Sequence, residues 1–124
     1  LMGGETVAAS IQEIGKACGI RRVRTVNPYD IEGTLQILKE EIEADEASLV
    51  VSSAACPLEA RKKVGETQRI NEEACVECRE CLGLGCPAME ARDGRPVINE
   101  FMCGGCGLCA QVCPISAIAA ATER

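Results

Sequence analysis

The first sixty residues alternate between helical and extended spacing of apolar positions. Val7, Ile11, Ile14 and Cys18 recur at helical steps, and Gly19 stands just past their end, where helices commonly stop. Residues 22–26 read as a strand. Asn27-Pro28-Tyr29-Asp30 reads as a turn in which Asp30 caps a second helix, with Ile31, Leu35, Leu38 and Ile42 on one face. Residues 48–52 give a short apolar strand, so the order is helix, strand, helix, strand. Two parallel strands joined by a crossover helix form a βαβ unit, which is normally covered on both faces within a larger α/β domain. Two strands alone cannot bury themselves. The first half therefore reads as the tail of a domain whose other strands lie upstream or on another chain.

The pattern changes after residue 54. Pro57, Gly65 and the run Arg61-Lys62-Lys63 mark a linker. The division predicted is an α/β portion over 1–60, a linker over 61–66 and a second domain over 67–124. In that second domain one pattern occurs twice: an apolar residue, a loop with three cysteines, then Cys-Pro and a small-residue segment. Between the copies, Asp93-Gly94 is a strong hairpin signal. Ile70, Leu82, Leu84, Val97, Ile98, Phe101, Leu108, Val112, Ile115 and Ile118 are the candidate apolar lining.

The repeat carries the chemistry. Cys75-x2-Cys78-x2-Cys81-x4-Cys86-Pro87 and Cys103-x2-Cys106-x2-Cys109-x3-Cys113-Pro114 have the ligand spacing of two four-iron clusters. Three thiolates two residues apart wrap three corners of a cubane, and the fourth must come from elsewhere. In two-cluster ferredoxins it comes from the other motif. The assignment is therefore Cys75, Cys78, Cys81 and Cys113 to one [4Fe–4S] cluster, and Cys103, Cys106, Cys109 and Cys86 to the other. Structural zinc usually takes two separated Cys-x2-Cys pairs and would leave one thiol per run without a role. No histidine exists in the chain, which removes Rieske centres and histidine-ligated haem.

Composition adds to this reading. Of 124 residues, 2% are aromatic and none is tryptophan, so little bulk is available for a conventional core. Ten cysteines, eight of them in the repeat, allow cofactor bonds to substitute for core volume. The formal charge of −6 becomes more negative, by about −2 per oxidised cluster with four thiolates. Nucleic acid is an unsuitable partner for such a chain, whereas a basic patch on a redox partner is a natural match. No stretch has the length to span a bilayer and no secretion signal is recognisable, so cytoplasmic residence is expected, where disulfides are disfavoured.

Two further features are read from the loops and the remaining thiols. Gly104, Gly105 and Gly107, with Gly83 and Gly85, permit backbone angles that could aim amides at sulfur or avoid side-chain clashes. Arg79 stands where the second loop has Gly107 and would raise the potential of a nearby cluster. Cys18 is expected in the core. Cys56-Pro57, at a strand end, is read as packing, with a redox role as the alternative.

The truncated α/β segment, the Asn27-Pro28-Tyr29-Asp30 turn, Ala54-Ala55-Cys56-Pro57 after a strand and the ferredoxin repeat resemble the C-terminal end of the large subunit of indolepyruvate:ferredoxin oxidoreductases. The resemblance implies an α+β architecture, a partial parallel βαβ segment followed by a two-[4Fe–4S] bacterial-ferredoxin-like domain. It also implies thiamine-diphosphate-dependent oxidative decarboxylation of aryl 2-oxoacids with coenzyme A, electrons passing to an external ferredoxin. Leu1-Met2-Gly3-Gly4-Glu5-Thr6 looks like the segment after the thiamine-binding strands, with Thr6 where a proline is usual. The Gly-Asp-Gly signature that anchors Mg2+ and diphosphate is absent. Thiamine diphosphate and Mg2+ are thus expected upstream or on a partner subunit, and no catalytic residue is assigned here. An independent ferredoxin-like carrier with an α/β appendage is the alternative.

Overall fold

The computed structural model describes residues 7–55 and 64–121. The chain divides into two compact units, Leu1–Ala54 and Ala55–Arg124.

In the first unit, α1 (Ile11–Ala17) starts where the Ser10 hydroxyl accepts the Glu13 amide at 3.2 Å. That cap leaves Val7 outside the helix. Strand β1 (Arg22–Val26) pairs in parallel with β2 (Ser48–Ser52), Arg22 opposite Ser48 and Val26 opposite Ser52. The crossover is α2 (Ile31–Glu43), capped by the Asp30 carboxylate, which accepts the Gly33 amide at 3.0 Å.

Side chains alternate across a strand, so Arg22 and Arg24 point to one face of the sheet and Val23 and Thr25 to the other. Glu41 of α2 meets Arg22 and Arg24, while Gln12 of α1 donates to the Thr25 hydroxyl. The two helices therefore cover opposite faces. The contact of α1 runs through Gly15, where a Cβ would strike the Leu49 side chain. The sheet side of α1 runs through Gln12 and Gly15 and leaves Ile11, Ile14 and Cys18 to one side of the contact, so the expectation that Cys18 lies in the core is corrected: it is exposed. In α2 the side chain buried on the sheet is Glu41, whereas Leu35, Leu38 and Ile42 are exposed.

In the second unit, β3 (Gln68–Ile70) pairs antiparallel with β6 (Ile118–Ala120), and β4 (Met89–Arg92) with β5 (Arg95–Ile98). The second pair is a hairpin closed by Asp93 and Gly94, both at positive φ (50° and 83°), as a two-residue primed turn requires. Each copy of the repeat is a strand, a cysteine loop, a short helical turn carrying its third cysteine, and a Cys-Pro leading into another strand. The helical turns are a 3-10 segment (Glu80–Leu84) and α3 (Leu108–Val112). Their buried Cys81 and Cys109 meet at Ile118, with Ile70, Met89, Ile98 and Val112 around them.

The copies also interlock by matching turns. Asn71 and Asn99 each stand four residues before a loop's first cysteine, and each backbone carbonyl accepts that cysteine's amide at 3.0 Å. Each side-chain oxygen also accepts an amide two residues on, from Glu73 and Phe101 respectively. The Asn71 and Asn99 amides in turn donate to Ala117 and Ala88, both buried. These equivalences superpose the strand pair β3–β6 on β5–β4.

Candidate metal centres

The pairing of β3 with β6 closes the repeat on itself and returns the second Cys-Pro to the first loop. Cys75, Cys78, Cys81 and Cys113 line one narrow cavity of about 10 Å³, with Ile70, Ile115 and Ile118 in its wall. Cys86, Cys103, Cys106 and Cys109 line another, of about 310 Å³, with Leu84, Ile98 and Leu108. Each cavity thus gathers three thiols of one motif and the Cys-Pro thiol of the other. Val112 packs in the adjoining core. Leu82, Val97 and Phe101 line neither cavity, contrary to their candidate role; Phe101 is fully exposed, its amide held in the turn by the Asn99 side chain.

The donor set fits an iron–sulfur cubane. All nine described cysteines carry free thiols. Among the described residues no three Cys, Asp or Glu side chains meet closely enough to share a single ion. The eight thiols are instead spread around apolar cavities, which suits a guest that takes one thiolate at each of four irons. Burial pushes the Cys109 thiol up to about 11, with Cys106 and Cys103 adding to the shift. Cys81 is raised for the same first reason, then by Cys78, Cys113 and Cys75. Such thiols hold their protons until a metal displaces them.

Among the described residues, two amides distant from the loop glycines donate to cysteine sulfur. Gln68 N donates to Cys103 Sγ at 3.5 Å and Ala117 N to Cys113 Sγ at 3.2 Å. Spacing within the motifs holds no sign of either, since Gln68 lies 35 residues from its acceptor. Backbone shape is one role the glycines serve: Gly105 and Gly107 both sit at φ 72°. At Gly105 an added Cβ would also strike the Gly65 carbonyl, so angle and clearance act together there.

Arg79 borders the first cavity, and its Nε donates to the Gly94 carbonyl at 3.0 Å. The guanidinium is therefore tied to the hairpin turn. Cys56, Leu1–Thr6 and residues 61–63 of the expected linker lie outside the described residues. Among the described residues no helix is long and apolar enough to cross a membrane.

Comparison with known proteins bears on the cysteine repeat and on the chain as a whole. A model of the 4Fe-4S binding domain matches residues 96–119, which include the second motif but not the first. The indolepyruvate oxidoreductase subunit IorA of Methanothermobacter marburgensis is 39% identical over 118 residues, 94% of this chain and 19% of that protein. Its counterpart in Pyrococcus horikoshii is 38% identical over 119 residues, 86% of this chain and 18% of that protein. Hydrogenase-4 component A of Escherichia coli is 46% identical over 54 residues, 40% of this chain and 26% of that protein. The chain is homologous to the IorA proteins over most of its length, and it spans about a fifth of the length of these curated relatives.

Proposed function

We propose that this chain is the iron–sulfur electron-transfer part of an indolepyruvate-type 2-oxoacid:ferredoxin oxidoreductase. The observation that carries the reading is the gathering of eight cysteines into two mixed quartets around apolar cavities. When bound, two [4Fe–4S] clusters would take electrons singly from thiamine-dependent oxidative decarboxylation and release them to an external ferredoxin. Cys75, Cys78, Cys81 and Cys113 would hold one, and Cys86, Cys103, Cys106 and Cys109 the other. The apolar walls keep water from the buried thiols Cys81, Cys103 and Cys109, and the cysteine loops fix the spacing of the rest. Thiamine diphosphate and Mg2+ would be held upstream or on a partner subunit, because this chain has no Gly-Asp-Gly segment. The proposed domains are the α/β portion over 1–60, the linker over 61–66 and the ferredoxin-like domain over 67–124. We place the chain in the cytoplasm, where thiols are kept reduced and disulfides are rare.

Anaerobic purification tests the reading. The protein should be brown, contain about eight irons and matching sulfide, and copurify with thiamine diphosphate when its whole assembly is isolated. Colourless protein with stoichiometric zinc would overturn it. A second reading, a free ferredoxin-like carrier, is favoured by one observation: all eight motif cysteines fall inside one compact unit. A brown, stable monomer that exchanges electrons with oxidoreductases without binding a thiamine-containing subunit would favour that carrier.

A further inference from the structure

Gln68 and Pro96 occupy the same place in the two copies of the repeat. Each lies seven residues before the first cysteine of its loop and two residues before an isoleucine of the core, Ile70 or Ile98. Each pairs with an alanine two residues beyond the core partner: Gln68 with Ala120 past Ile118, Pro96 with Ala91 past Met89. Both are buried. The Gln68 amide reaches across to Cys103 Sγ, the first thiol of the opposite loop. Pro96 lies in the wall of the cavity that holds Cys75, the thiol related to Cys103 by the repeat. A proline nitrogen carries no hydrogen, so the donor given to Cys103 cannot be given to Cys75.

We propose that this pair makes the two centres electronically unequal: Gln68 raises the potential of the centre on Cys103, and Pro96 holds the centre on Cys75 lower than the fold would otherwise set it. The inference rests on the two-cluster reading above and concerns residues that tune ligands rather than bind iron. Reduction places added negative charge on the cluster and its sulfurs, and an amide hydrogen aimed at a thiolate stabilises that charge. A position that lacks the hydrogen leaves the reduced form less stabilised. The Ala117 amide on Cys113 acts on the first quartet independently of residue 96, so the comparison to make is within one centre, before and after substitution.

The experiment is a reductive titration of the intact, anaerobically purified protein, followed by electron paramagnetic resonance and accompanied by iron analysis. Pro96→Ala restores an amide hydrogen, and Pro96→Gln reproduces the opposite copy. Either should shift one midpoint to a more positive value, raising its reduced-to-oxidised ratio about three- to tenfold at fixed potential, roughly 30 to 60 mV for one electron. The other midpoint should stay in place. Gln68→Pro should move the other midpoint, and in the negative direction, so the question stays answerable if one substitution disturbs loading. With about eight irons retained, unmoved midpoints, or both substitutions moving the same one, would overturn this inference and leave the two-cluster reading intact. Fewer than two four-iron centres in the unsubstituted protein would overturn both.

Discussion

Glu77 and Gly105, each two residues after the first cysteine of its loop, hold the same left-handed backbone conformation, at φ 58° and 72°. Arg79 and Gly107 repeat the match one step on, at 66° and 72°. One backbone path serves both loops, although only the second has glycine at these positions. The first loop carries the left-handed cost and anchors both residues to the hairpin, Glu77 to the Arg95 guanidinium at 2.8 Å and Arg79 to the Gly94 carbonyl.

Before iron is loaded, alanine at Gly107 should cost only the backbone term, about 1–2 kcal/mol, because its Cβ meets no other part of the chain. Gly105→Ala should cost more, since its Cβ also meets the Gly65 carbonyl, a backbone group with little room to move. Urea unfolding of the intact chain measures the difference. Equal costs would show that the approach of residue 65 contributes nothing.

Cys113→Ser should damage the centre of Cys75, Cys78 and Cys81, not that of its sequence neighbours Cys106 and Cys109. The cavity that holds Cys113 holds the first triad. Electron paramagnetic resonance resolves which signal is lost, and loss of the signal that Cys103→Ser also removes would refute crossed ligation.

Before iron is loaded, thiol reactivity should follow burial. Cys78 is exposed, while Cys109 is buried with its thiol pushed up to about 11. The thiolate is the nucleophile, so Cys109 stays protonated at neutral pH and its alkylation should rise only as pH approaches 11. Peptide mapping after iodoacetamide treatment gives the order; equal labelling of the two thiols at pH 8 would contradict it.

The α/β unit should lose stability in acid through Glu41. Its side chain is 3% exposed and its carboxylate takes two hydrogen bonds from Arg22, at 2.8 and 3.0 Å. The Arg22 hydrogen bond, opposed by desolvation and helped by the nearby charges, holds its carboxyl below the ordinary range. A depressed folded pKa means the unfolded chain takes up the proton first. The contribution is therefore complete above the unfolded value of about 4.3 and is lost as pH falls through the folded one. Glu41→Gln should lower stability at neutral pH and flatten that acid slope; an unchanged slope would place the acid sensitivity elsewhere.

Local signals in the sequence translated well where the physics is local. Asp30 caps α2 because a carboxylate there reaches the Gly33 amide three residues on. Asp93-Gly94 makes its hairpin because both residues tolerate positive φ. Cys18 failed for the opposite reason. Its helical stripe is real, but which side of α1 meets the sheet is decided by how close Gly15 lets the backbone come to Leu49. The same holds for α2, where the ion pairs of Glu41 with Arg22 and Arg24 outrank the apolar stripe in choosing the face toward the strands.

By itself the sequence determined the number of thiols, their spacing within each loop and the turns at each end, all set by bonds and angles over a few residues. The crossed assignment of the Cys-Pro thiols could be drawn from the sequence only by analogy with two-cluster ferredoxins; the shape of each cavity, and that residue 68 offers a hydrogen to sulfur where residue 96 has none to offer, belonged to the tertiary structure. Both depend on β3 pairing with β6 and β5 with β4, and antiparallel pairing sets groups far apart in the chain side by side.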